Sequence, residues 1–197
     1  MKGALILILR GDKMRDGAEA YKRFLEGDKN AIGEIVEEYR AGLEYFLLSI
    51  TGSEDTAEEL TQDTFVYLFV KKPKYKPVAS FRTWLYTIAK NKAYRYMKKN
   101  SKSLSYEYNS SFVISEDLRL LEEKYFSDIE KLNVLDVMAK LKSEYREILW
   151  LTYYEGFSNK ECARITGKKI HNIEVLVSRA RQALKKLLQE EGYTYEN

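Results

Sequence analysis

Apolar positions along this chain recur at intervals of three and four residues, the pattern of helices that bury one face. No convincing strand-like alternation and no internal repeat interrupts it. Asp28 stands where an N-cap would, ahead of a helix carrying Ile32, Ile35, Val36, Tyr39, Leu43, Phe46, Leu47 and Ile50. Thr51, Gly52 and Ser53 break that stripe, and a second helix follows with Ala57, Leu60, Thr64, Phe65, Leu68 and Phe69 on one face. The only prolines, Pro73 and Pro77, restrain the next loop. Ser80 is placed to cap a third helix running through Phe81, Trp84, Leu85, Ile88 and Ala89 toward Met97. Asn100 to Ser105 then reads as a polar linker, Tyr106 to Ser115 as a mobile Ser/Tyr/Asn-rich stretch, and Glu116 to Asp128 as a transiently helical one.

Helical spacing resumes near Lys131 with Leu132, Leu135, Val137, Met138 and Leu141, and again after Ser143 with Ile148, Leu149, Leu151 and Thr152, up to Gly156. Ser158-Asn-Lys-Glu161 has the form of a capping box opening a short helix with Cys162, Ala163 and Ile165. Gly167 supplies a turn, and a final helix carries Ile173, Val177, Ala180, Leu184 and Leu187. A short capped helix, a glycine turn and a longer basic helix form the helix-turn-helix arrangement, whose second helix enters the major groove of DNA. The same spacing also occurs in helical hairpins that never touch DNA, so spacing alone leaves both readings open. The predicted fold is all-α: two small helical domains over 18–100 and 131–191, a flexible acidic linker over 101–130, an N-terminal extension over 1–17 and a tail over 192–197.

Charge sharpens this picture by its distribution rather than its sum, since the net charge of the 197 residues is only +3. Between Asp63 and Glu107 there is no acidic residue, while Lys71, Lys72, Lys74, Lys76, Arg82, Lys90, Lys92, Arg95, Lys98, Lys99 and Lys102 alternate with aromatic rings. Cations release counterions from phosphates and rings stack on unpaired bases, so the stretch reads as a surface for single-stranded or melting nucleic acid. The opposing reading is a solvated helix face over an aromatic core. Ser53 to Asp63 has the opposite sign, with Glu54, Asp55, Glu58, Glu59 and Asp63 and no base. Part of that cluster suits the positive end of a helix dipole. The rest suggests an acidic face for a protein partner beside a basic face for nucleic acid. Glu107 to Asp136 is again acidic, and Lys140 to Glu190 basic.

These segments resemble the extracytoplasmic-function (ECF) sigma factors of the sigma-70 superfamily. Asp55-Thr-Ala-Glu-Glu-Leu-Thr-Gln-Asp-Thr-Phe65 looks like their polymerase-binding segment, and Phe81-Arg-Thr-Trp-Leu-Tyr-Thr-Ile-Ala-Lys-Asn91 like their promoter-melting helix. Ser178-Arg-Ala-Arg-Gln-Ala-Leu184 resembles the end of their recognition helix. The resemblance implies sigma region 2 over 18–100 and sigma region 4 over 131–191. It implies core RNA polymerase as a partner through its beta-prime clamp helices and beta flap, double-stranded and melted promoter DNA, and an anti-sigma factor. Asp55, Glu58, Glu59, Leu60, Gln62, Asp63 and Phe65 would meet the polymerase. The Pro-flanked loop with Lys74, Tyr75 and Lys76, together with Phe81, Arg82, Trp84, Lys90, Asn91 and Arg95, would bind and melt the minus-ten element. Trp84 also fits its helix's apolar face, so it is read as core ahead of a stacking partner. Lys168, Lys169, His171, Asn172, Glu174, Val175 and Arg179 would serve the minus-thirty-five element. Where the family commonly has Thr-Val-Lys-Ser-Arg, this chain reads Asn172-Ile-Glu-Val-Leu176. Glu174 could accept from cytosine and Leu176 touch a thymine methyl, at the loss of two phosphate-binding cations.

No glycine-rich phosphate loop, nucleophile elbow or His/Cys ligand set is present, so no catalytic residue, metal site or cofactor is expected and the chain is read as a non-enzyme. One cysteine, Cys162, permits no internal disulfide and is expected as a buried thiol, while His171 is alone. The apolar run Ala4 to Leu9 is too short to span a bilayer, so membrane insertion is not expected and the location is read as cytoplasmic. Met14 is an alternative start. Two rival functions stay open: a sigma look-alike that sequesters an anti-sigma factor, and a polymerase-independent helix-turn-helix regulator.

Overall fold

The computed structural model describes residues 17–107 and 137–190, and every regular element among them is helical. Residues 1–16 of the expected extension over 1–17, most of the expected linker and the tail lie outside the described residues. Four helices form the first unit: α1 (Gly17–Leu25), α2 (Ala31–Thr51), α3 (Glu54–Lys71) and α4 (Phe81–Glu107). The second unit has α5 (Ser143–Leu149), a π-helical turn at Trp150–Tyr154, α6 (Asn159–Thr166) and α7 (Ile170–Glu190).

Helix α1 is absent from the sequence expectation because its nine residues offer only Ala20, Tyr21 and Phe24 as a buried face. Asp28 does not cap α2. Its Oδ1 accepts from the Asn30 backbone N–H at 3.0 Å and its Oδ2 pairs with Arg23 at 2.9 Å, so the turn starts early and Asn30 becomes the cap position. Ser53 caps α3 by accepting from Thr56 N–H at 3.4 Å, and Ser80 caps α4 by accepting from Thr83 N–H at 3.2 Å. The capping box of α6 forms as expected, with Ser158 N–H donating to Glu161 Oε2 at 2.9 Å. Helix α4 does not stop near Asn100; its backbone continues to Glu107, into the stretch expected as linker.

Lys72 ends α3 with a φ of 44°, the one non-glycine residue described in the left-handed region. That geometry normally favours glycine and costs a lysine on the order of 1 kcal/mol. The Lys72 ammonium lies 5.0 Å from the Phe24 ring centroid, which offsets part of the cost.

The C-terminal half of α2 is buried all round, from Tyr45 through Thr51. A one-sided stripe serves a helix with one neighbour, whereas this half lies between α3 and α4 on one side and α5 with the π turn on the other. The two helical units therefore share one hydrophobic cluster, and Tyr45 stacks on Trp150 at 5.1 Å between ring centroids. Buried Arg146 ties them further by donating to the Ser49 carbonyl at 3.2 Å.

Candidate nucleic-acid and polymerase interface

Helix α3 presents Asp55, Glu58, Glu59, Gln62 and Asp63 to solvent, while Leu60 and Phe65 are 4% and 8% exposed. Leu60 and Phe65, expected on the partner-binding face, instead pack inward, because they share the Ala57–Leu68 stripe that seats α3 on α2. They support the ridge rather than line it. Gln62 donates to Glu58 at 3.0 Å, and Asp63 pairs with Lys92 of α4 at 3.7 Å. The acidic ridge thus adjoins the basic helix.

The loop between α3 and α4 is held at both ends. Tyr21 of α1 donates its hydroxyl to the Pro73 carbonyl at 2.8 Å, and Tyr75 donates to the Ala79 carbonyl at 2.6 Å. Burial, followed by the neighbouring Tyr67, pushes the Tyr21 phenol up to about 12, so it remains a donor. Rings of Tyr21, Tyr75, Phe81 and Trp84 form a cluster with centroid separations of 5.2 Å for Tyr75–Trp84, 5.4 Å for Phe81–Trp84 and 5.6 Å for Tyr75–Phe81. Phe81, expected as a stacking partner for a base, is 1% exposed and belongs to the core. Tyr75 and Trp84 are only partly buried and keep ring surface at the edge of this cluster. Lys74 and Lys76 are exposed on the same loop.

Helix α4 divides its side chains by direction. Phe81, Leu85, Ala89 and Ala93 face the core of the first unit. Asn91 and Arg95 are exposed, and Arg95 folds back on the Asn91 carbonyl at 3.1 Å. Arg82, Tyr86, Lys90 and Tyr94, spaced four apart, face the second unit. Arg82 pairs with Glu155 and lies 4.1 Å from the Phe157 ring centroid. Burial alone would lower its pKa, and Glu155 together with Tyr86 and Tyr39 more than offsets this, so the guanidinium stays charged. Lys90 donates to the Thr166 carbonyl at 2.8 Å, and burial lowers its pKa despite Glu147 nearby.

The second unit carries a helix-turn-helix. Gly167, with a φ of 73°, makes the left-handed turn between α6 and α7. His171, Asn172, Glu174 and Arg179 are exposed on α7, Lys169 is exposed just before it, and Val175 is half-buried. Lys168 pairs with Glu144 at 2.7 Å. Leu176 packs against the core, so the proposed contact with a thymine methyl does not fit its placement. Cys162 is fully buried, and burial with Glu161 beside it pushes the thiol up to about 12. Among the described residues no group of acids, histidines and cysteines could hold a metal ion, and no helix is long and apolar enough to cross a membrane.

Sequence reasoning missed Gly42, Glu147 and Glu155. Arg82 and Tyr94, which Glu155 and Glu147 meet, and Tyr86 beside Gly42 lie tens of residues away, and no local period marks them.

The family model for Sigma-70 region 2 matches residues 35–103, and that for Sigma-70 region 4 matches residues 131–184. The ECF RNA polymerase sigma factor SigM of Bacillus subtilis (strain 168) is 30% identical over 162 residues, covering 79% of this chain and 94% of that protein. The chain belongs to the ECF sigma factors of the sigma-70 family. ECF sigma factor SigW of the same organism is 25% identical over 179 residues, covering 86% and 95% of the two chains. Among solved structures, the sigma factor RpoE of Bartonella quintana, in complex with the anti-sigma factor NepR, superposes with a TM-score of 0.63 at 25% identity, covering 81% of this chain and 98% of that one. CnrH, solved with the cytosolic domain of CnrY, gives 0.59 at 24% identity over 95% and 99%, which speaks for the fold alone. In this sigma factor the region 2 match holds the acidic ridge, the proline-flanked loop and most of α4, and the region 4 match holds α6, its turn and most of α7. Helix α1 precedes both.

Proposed function

We propose that this ECF sigma factor docks on core RNA polymerase through the exposed ridge of Asp55, Glu58, Glu59, Gln62 and Asp63 on α3. The loop bearing Lys74, Tyr75 and Lys76, with Trp84, Arg82, Lys90, Asn91 and Arg95, then binds and melts the minus-ten element. Lys168, Lys169, His171, Asn172, Glu174, Val175 and Arg179 approach the minus-thirty-five element. The observation that carries this reading is the adjacency of opposite charges on one small body: an acidic ridge on α3 joined by Asp63–Lys92 to a loop and helix with no acid before Glu107. Extruding a base costs a few kcal/mol, and each stacking contact returns about 1–3, so the part-open rings of Tyr75 and Trp84 suit that task.

The test mixes purified protein with core polymerase and a genomic promoter library and sequences the run-off transcripts. A shared promoter motif is the expected result; transcription absent above polymerase alone would sink the proposal in favour of a decoy that only holds an anti-sigma factor. An anti-sigma partner is itself part of this reading, since the solved relative RpoE is complexed with the anti-sigma factor NepR. Action in the cytoplasm follows from the same proposal.

A further inference from the structure

Among the described residues, three of the seven large apolar side chains left exposed stand close together on α3: Val66, Phe69 and Val70 are 55%, 50% and 61% exposed. Phe69, expected in the sequence on the buried face, stacks on Phe24 of α1 at 5.8 Å and still stands half open. Leu25, which follows Phe24, is exposed too. At about 100° per residue, Asp55, Glu59, Gln62 and Asp63 lie within about 60° of Val66 around the helix. The acidic ridge and the apolar patch are therefore two ends of one face. Clustered apolar surface rimmed by polar groups marks a contact site.

The chain carries a match for this patch. Ala4 to Leu9 is an unbroken apolar run with no part in the proposed function, and with the rest of residues 1–16 it lies outside the described residues. Leu9 is eight residues from Gly17, up to about 26 Å of extended chain. Phe24 is seven helical steps beyond Gly17, about 10 Å of rise, and its ring stacks on Phe69. The run can thus reach the patch. Arg10 follows the run directly, and Asp63 and Glu59 precede Val66 on α3 by about one and two turns, so opposite charges can meet at the patch's edge. A tether this short holds the run at an effective concentration on the order of millimolar, which favours it over a second copy of the chain at micromolar concentration.

We propose that Ala4 to Leu9 docks in cis on Val66, Phe69 and Val70, and that core polymerase displaces it when it engages the same face of α3. The displacement rests on the proposed docking role of the acidic ridge.

The test puts p-benzoylphenylalanine in place of Phe69 in the full chain, irradiates it and maps tryptic peptides by mass spectrometry. The expected product is a monomer in which peptide 3–10 is joined to peptide 41–71. Leu5→Ser, Leu7→Ser and Leu9→Ser together should abolish that product at unchanged net charge. Should circular dichroism show the triple variant misfolded, Leu7→Ser alone is the milder form. A cross-link between two chains, or none to residues 4–9, overturns the docking. Core polymerase is then titrated into the parent and the triple variant, each carrying fluorescein at Gln182→Cys, an exposed site on α7, and binding is followed by anisotropy. The triple variant should bind about five- to 150-fold more tightly, the usual span of a coupling between two equilibria. Equal affinities beside an intact cis cross-link overturn the displacement. Failure of every form to bind polymerase sinks the docking role of the ridge and the displacement with it, while the cross-link still decides where the run lies.

Discussion

At Glu147, burial raises the carboxyl pKa against the opposing influences of Tyr94, Lys90 and Lys168, with Glu144 adding to the rise. A raised folded-state pKa means that the folded chain holds this proton to higher pH than the unfolded chain does. The destabilisation is absent below the usual carboxylate range and grows as pH climbs through the raised value. Urea melts from about pH 4 upward should therefore show stability falling with pH, a fall that Glu147→Gln removes. The difference between the two proteins isolates the residue from Glu44, which is also raised by burial, and from Glu161, which hydrogen bonds from Ser158 hold low against its own burial. Cys162 should resist iodoacetamide in the native protein at neutral pH and react fully in denaturant, read by mass spectrometry, because its thiol is sealed and stays protonated. Glu174 is exposed on α7, so under the proposed function Glu174→Lys should change which promoters are used in the run-off panel without altering polymerase binding. Its former companion in that argument, Leu176, is a packing residue, and an arginine there would test folding rather than specificity.

The helices themselves were largely legible in the sequence, because each is announced by short-range chemistry. Ser53 and Ser158 cap where their hydroxyls reach the third N–H, and Gly52 and Gly167 turn left-handed where their helices end. Ser158→Ala should cost about 0.5–2 kcal/mol in a denaturant melt, since it removes one side of the capping box that starts α6. Local signals failed where a distant group decides. Asp28 looked like a cap, but Arg23 and the Asn30 N–H claim its oxygens. The aromatic spacing of Phe65 and Phe81 fits a binding face and a core equally well, and only the packing of α1 and α2 against them resolves it. The π-helical turn at Trp150–Tyr154 has no sequence mark; it aims Trp150 at Tyr45 and Tyr154, with the latter ring stacked at 4.4 Å.

The greatest departure from expectation lies in how the two units meet. A charged linker between basic modules implies independent bodies, yet the described residues form one hydrophobic cluster crossing both. Closure depends on pairs such as Tyr45–Trp150 and Arg146–Ser49, 97 residues apart in the second case, which no periodicity encodes. Calorimetry should accordingly show one cooperative transition rather than two. Trp150→Ala, which empties a buried site between the units, should cost about 3–5 kcal/mol. Two separate transitions in the parent would mean that the units are merely tethered. A different lesson comes from Tyr21. The family match begins at Ile35, yet the hydroxyl that anchors Pro73 and the ring 5.4 Å from Trp84 arrive from ten or more residues upstream. A chain trimmed to the recognisable stretch would keep every residue a comparison highlights and lose the buttress that gives its proline loop a shape.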